Sequence, residues 1–93
     1  MGVKSVPEIS PADTSTGGSE YIVIVYDNDT NTIDEVINIL IVATACSSQE
    51  AAMETWEIHN LGRSIVHHGG EEECHRAAGI IATIGIRVEV RLL

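Results

Sequence analysis

The chain has 93 residues, 44% of them apolar, with a net charge of −9 and a pI near 4.6. That length supports one small domain with a modest core, and the apolar fraction excludes a disordered chain. The acidic balance repels phosphate backbones, so nucleic acid is excluded as a partner, and no apolar run approaches the length of a membrane span.

In chain order, residues 1–20 are rich in Ser, Thr, Pro and Gly ("SVPEISPADTSTGGSE") and read as a flexible N-terminal extension. Tyr21 to Tyr26, "YIVIVY", is β-branched and aromatic throughout, which predicts a strand buried on both faces. A polar loop, "DNDTNT", follows. Thr32 with Glu35 fits a capping box and predicts a helix start. Ile33, Val36, Ile37, Leu40 and Ile41 form its apolar face, and Ile39, Val42 and Ala43 widen that face almost all round. Such a helix should be central, or partly covered by a partner. Ser47 with Glu50 repeats the capping pattern, predicting a second helix from Ser48 to Leu61 that ends at Gly62. Ile65 and Val66 suggest a second strand, and Gly69-Gly70 a turn. Glu71 to Glu73 suit the N-terminus of a third helix, where the macrodipole favours acids. Its inward stripe is Cys74, Ala77, Ala78, Ile81 and Ile84, with Gly85 ending it. "IRVEVRLL" then alternates, Ile86, Val88, Val90 and Leu92 against Arg87, Glu89 and Arg91, as a half-exposed strand does. The order β-α-α-β-α-β predicts an α+β fold with a three-stranded antiparallel sheet and its helices on one face. Residues 21–93 form the domain.

Three readings fit the oxygen-rich loop: a calcium cage, a grip on a positively charged group, or a turn that caps the next helix. Asp27, Asp29 and Asn31 match the first ligand positions of an EF-hand, but Thr32 stands where its glycine belongs and Asn38 where its bidentate Glu belongs. His67, His68, Cys74 and His75 lack the spacing of a zinc site, since neighbours on a strand or a helix diverge. No metal or other cofactor is expected. Cys74 falls on the apolar stripe and nothing marks Cys46 as activated, so no enzyme is expected. The two cysteines read as reduced thiols, and the polar N-terminus lacks a secretory signal, which points to the cytoplasm. His59, near the end of the second helix, either caps that helix or reaches toward the DNDTNT loop.

These residues resemble the ClpS family, adaptors that bring substrates to Clp-family AAA+ proteases. The family runs from a strand into Asn-Asp-Asp, a free position, Thr-Pro or Asn-Thr, a hydrophobic gate residue, an acid and a Val. An Ala in the second helix and "VH..G" follow. Here the counterparts are "DNDTNTIDEV" at Asp27 to Val36, Ala51, and "IHNLG" at Ile58 to Gly62. The resemblance implies the same α+β fold and recognition of a substrate's free N-terminal residue, an N-degron. Asp27, Asn28 and His59 would hold the α-ammonium. Asp29, Asn31, Ile33, Val36, Thr55, Ile58 and Ile86 would line a pocket for a bulky hydrophobic or aromatic first side chain. Glu72 would help dock on the N-terminal domain of a Clp ATPase, and residues 1–20 would help hand substrate over. Departures are the exchanged order Asp27-Asn28, Thr55 where the family often has Met, and Ala77 where many members have a docking Lys. A domain of this fold without N-degron binding, or a small metal-binding domain, are the other readings.

Overall fold

The computed structural model describes residues 20–93, so the extension expected over residues 1–20 lies, but for Glu20, outside the described residues. The elements are β1 (Tyr21–Tyr26), α1 (Ile33–Thr44), α2 (Ser48–Leu61), β2 (Arg63–Gly69), α3 (Glu71–Ala82) and β3 (Val88–Leu92). β1 is the middle strand of a three-stranded sheet, antiparallel to β2 on one side and β3 on the other. Its alternation decides the layering. Val23 and Val25 face a core shared with Val36 and Leu40 of α1, Ala51 and Ile58 of α2, and Cys74, Ala77 and Ile81 of α3. Ile22 and Ile24, on the opposite face, are also buried; their cross-strand partners are His68 and Arg91, and Ile65 and Glu89.

Both predicted capping boxes are formed. Thr32 Oγ1 accepts from the Glu35 N–H while Glu35 Oε1 accepts from the Thr32 N–H, and Ser47 and Glu50 repeat the exchange. The Thr32 N–H, then the Asn31 side chain, hold the Glu35 carboxyl below its usual range. Gly62 closes α2 in the left-handed region at φ 93°, donating to the Ile58 carbonyl. β2 carries a bulge: Val23 pairs with His67 but Ile24 pairs with Ile65, so Val66 is the extra residue.

Of the two placements open to the first helix, the fully covered one is not met, and two further expectations are corrected. α1 packs against α2 and α3, yet its wide apolar surface is covered only in part: Val36 and Leu40 are buried, while Val42 is 68% exposed. α3 ends at Ala82, before Gly85. Beyond it Thr83, Ile84 and Gly85 donate to the carbonyls three residues back, which tightens the chain into a turn, and Gly85 (φ 84°) serves that turn instead. β3 begins only at Val88, so Ile86 is buried ahead of the strand, while Leu92, paired with Tyr21 at the end of the sheet, is exposed.

One carboxyl conflicts with its surroundings. Glu54 on α2 has a buried Oε1 without a hydrogen-bond partner among the described residues, and burial, followed by the charges of Glu50 and Glu57, pushes its carboxyl up to about 7. The folded value lies above the unfolded one, so the stabilisation it confers is full below the unfolded value and is lost as pH rises through about 7. Urea unfolding at pH 5 and pH 8 measures this. Glu54→Gln should flatten the fall in stability between the two pH values, and an equal fall in both proteins would show that Glu54 does not cause it.

Candidate functional site

The polar loop leaves the sheet under constraint from both neighbours. The last N–H of β1, on Tyr26, donates to the Arg87 carbonyl at 3.0 Å, and the next, on Asp27, donates to the Gly62 carbonyl at 3.0 Å. The second bond sets the start of the loop beside the end of α2. His59 sits one turn before Gly62, and its Nδ1 lies 3.4 Å from Asp27 Oδ1. His59 thus lies in the last turn of α2 and also points at the loop. The pair is open to water, with the side chains 48% and 36% exposed. It is also longer than a well-formed hydrogen bond. Such a pair adds little to stability, and the Asp27 carboxylate keeps acceptor capacity for a further donor.

The two asparagines serve the loop itself. Asn28 Oδ1 accepts from the N–H groups of Thr30 and Asn31, at 3.3 and 3.1 Å, and Asn28 Nδ2 donates to Asn31 Oδ1 at 2.8 Å. These are the bonds of an Asx turn. Asn31 Nδ2 in turn donates to the Ile84 carbonyl at 2.8 Å and to Glu35 Oε1 at 3.2 Å, tying the loop to the turn ahead of β3 and to the start of α1. Asn28 is therefore committed to the turn, whereas Asp27 beside it faces His59. Asp29 is exposed at the tip.

A groove of about 200 Å³ opens between α1 and α2 next to this pair. Ile33 and Ile37 form one wall, and Ala52, Thr55, Trp56, His59 and Asn60 the other wall and floor. His59 belongs both to the groove and to the pair with Asp27. Thr55 is buried, and its Oγ1 donates to the Ala51 carbonyl at 2.7 Å, so its hydroxyl makes no polar demand on the groove. Of the residues expected to line a side-chain pocket, Ile33 and Thr55 border this groove. Val36, Ile58 and Ile86 lie in the packed core, and Asn31 stands in the loop. Ile37, Ala52, Trp56 and Asn60 were not expected there. Their signal is the spacing of 52, 56 and 60 along α2 against 33 and 37 along α1, one helical turn apart each time. Glu72 is exposed on the first turn of α3, while Ala77, matched to a docking Lys, is buried in the core.

His67 pairs with Val23 and His68 with Ile22, on opposite faces, and His67 Nε2 meets Glu73 Oε2 at 2.9 Å. Among the described residues no group of three or more His, Cys, Asp and Glu is arranged to hold a metal ion. Both cysteines are free thiols, and burial, followed by Glu73 and Glu20, pushes the Cys74 thiol up. Among the described residues no helix is long and apolar enough to cross a membrane.

Residues 17–87 match the model of a family described as ATP-dependent Clp protease adaptor protein ClpS. No curated protein matches the chain. Among solved structures, Agrobacterium tumefaciens ClpS2 bound to L-phenylalaninamide is similar, with a TM-score of 0.76 at 14% identity, over 81% of this chain and 98% of that one. At that identity the likeness concerns the fold.

Asn31 is the clasp of the loop, so Asn31→Ala should lower stability by about 1–2 kcal/mol, since it removes the side-chain partners of both Ile84 and Asn28. Urea unfolding gives the number, and hydrogen exchange should show faster amides over residues 27–31. Unchanged stability and exchange would mean that the backbone holds the loop without Asn31.

Proposed function

The chain belongs to the ClpS family of ATP-dependent Clp protease adaptor proteins, and on that premise we propose that it is a non-enzymatic adaptor that binds the free N-terminal residue of substrate proteins. It would deliver them in the cytoplasm to a Clp AAA+ protease, docking on the ATPase N-terminal domain with the help of Glu72. The observation that carries the reading is the half-exposed Asp27 carboxylate held beside His59 at the mouth of an apolar groove. An α-ammonium brings three N–H donors and a positive charge, and it needs an acceptor with opposite charge on a rigid frame. The first side chain, carried on the same Cα as the amine, needs an apolar surface next to that acceptor. Asp27 and the groove supply the two together.

The exchange of Asp and Asn relative to the family order fits this reading. Asp27, at the first position, presents the charge next to His59, and Asn28, at the second, builds the turn that follows it. Asn28 thus contributes to the site by ordering the loop beyond Asp27. Ile33 and Thr55 flank the first side chain, and Val36, Ile58 and Ile86 support them from the core behind. The L-phenylalaninamide bound by the similar Agrobacterium protein carries both features, a free amine and an apolar side chain.

Calorimetry with short peptides tests the amine. Acetylating the peptide N-terminus removes a charge-assisted bond worth about 1.5–3 kcal/mol, so affinity should fall by at least about tenfold. Asp27→Ala and His59→Ala should each weaken binding with the fold intact. Equal affinity for free and acetylated peptides would sink the proposal.

Ile33 gives a second test. It is β-branched and stiff, and it is 50% exposed at the groove wall. Peptides beginning with Val or Ile should bind poorly to the natural chain, and Ile33→Ala should admit them. An unchanged ranking of first residues would make Ile33 simple surface packing.

A further inference from the structure

We propose that Trp56 is the residue by which this groove selects among apolar side chains, and that it favours a flat aromatic ring. The inference rests on the reading of Asp27 and His59 as the amine site, and it adds a wall to that site which its polar residues do not foresee.

Trp56 is not among the buried residues of the core. It is 59% exposed, outside the core, on a helix whose buried positions are Ala51, Thr55 and Ile58. A single exposed apolar residue needs no explanation, but Trp56 does not stand alone. It lines the groove opposite the exposed Ile33 and the half-buried Ile37, one turn after Ala52 and one turn before Asn60. Ala52 contributes only a methyl group, which leaves room beside the indole. Asn60 folds back along its own helix, Nδ2 donating to the Trp56 carbonyl at 2.9 Å. The groove therefore has one aromatic wall, one branched aliphatic wall and small residues between them.

That shape sorts ligands. A ring lying in the groove is covered on one face by the indole in an offset or edge-on arrangement, and on the other by isoleucine methyls. A Leu side chain can use the apolar surface but not the aromatic contact. The occupant is fixed by continuity: His59 lines the groove and meets Asp27, so the side chain that enters is the first one of a peptide whose amine is held there. Trp56 acts on the ligand directly and leaves the amine grip untouched.

The chain offers its own reporter, because Trp56 is its one tryptophan and it has no phenylalanine. The experiment titrates the full chain with two peptides that differ only in a first residue of Phe or Leu, each also in acetylated form, and follows Trp emission and calorimetry in parallel. The Phe peptide should shift the emission and bind about three- to tenfold tighter than the Leu peptide. Trp56→Leu should erase that ratio by weakening the Phe peptide alone, and Trp56→Phe should keep most of it. Circular dichroism checks that both variants fold. Preference for free over acetylated peptides, with a Phe to Leu ratio that Trp56→Leu leaves unchanged, would overturn the role of Trp56 and spare the amine site. Equal binding of free and acetylated peptides with a ratio that does depend on Trp56 would overturn the amine site instead. Binding of neither peptide would overturn both.

Discussion

The hydrogen bond from the Asp27 N–H to the Gly62 carbonyl sets the geometry on which the site depends. It continues the β1–β2 pairing one step beyond Tyr26 and Arg63, and so joins the first residue of the loop to the last turn of α2. Gly62 can take part because it adopts φ 93°, where a side chain would be strained, and so turns the chain from helix into strand without a longer connection. Once that bond is made, His59 meets Asp27, and the charged pair and the groove share that histidine. The fold thereby juxtaposes residues 32 positions apart without any strong interaction between them. The Asp27–His59 contact is long and wet, which leaves the carboxylate free to bind something else.

On the proposed function, the loop divides its polar groups between architecture and recognition. Asn28 and Asn31 form a relay from the Asx turn to the Ile84 carbonyl and to the capping Glu35. Asp27 stands outside that relay. Amides suit the first task because each supplies both donor and acceptor, and a carboxylate suits the second because it carries charge and only accepts. This explains how a loop dense in oxygens need not be a metal cage: the Asn28 and Asn31 amides and the Thr32 hydroxyl already have partners within the protein.

Much of this was legible in the residues. Thr32 with Glu35 and Ser47 with Glu50 marked two helix starts because capping is local chemistry, and the β-branched run at Tyr21 to Tyr26 marked the central strand. The end of α3 was not legible, because Ile84 continues the helical stripe of apolar residues while the backbone has already tightened through Thr83. The start of β3 was misplaced for a similar reason: Ile86 fits the alternation of a strand but is buried ahead of the ladder, where β1 has run out. That His59 reaches toward the loop was one of two readings the sequence left open. The groove was not legible, since it depends on the angle at which α1 meets α2.

The most direct measurement of the central claim, that Asp27 and His59 hold a free amine at the head of an apolar groove, is a crystal structure of the chain with L-phenylalaninamide. The account predicts the ammonium within hydrogen-bonding distance of the Asp27 carboxylate, with His59 beside it, the Asn28 and Asn31 bonds unbroken, and the ring between Ile33 and Trp56. An ammonium bound by a released Asn28, or a ring seated away from the α1–α2 groove, would contradict it.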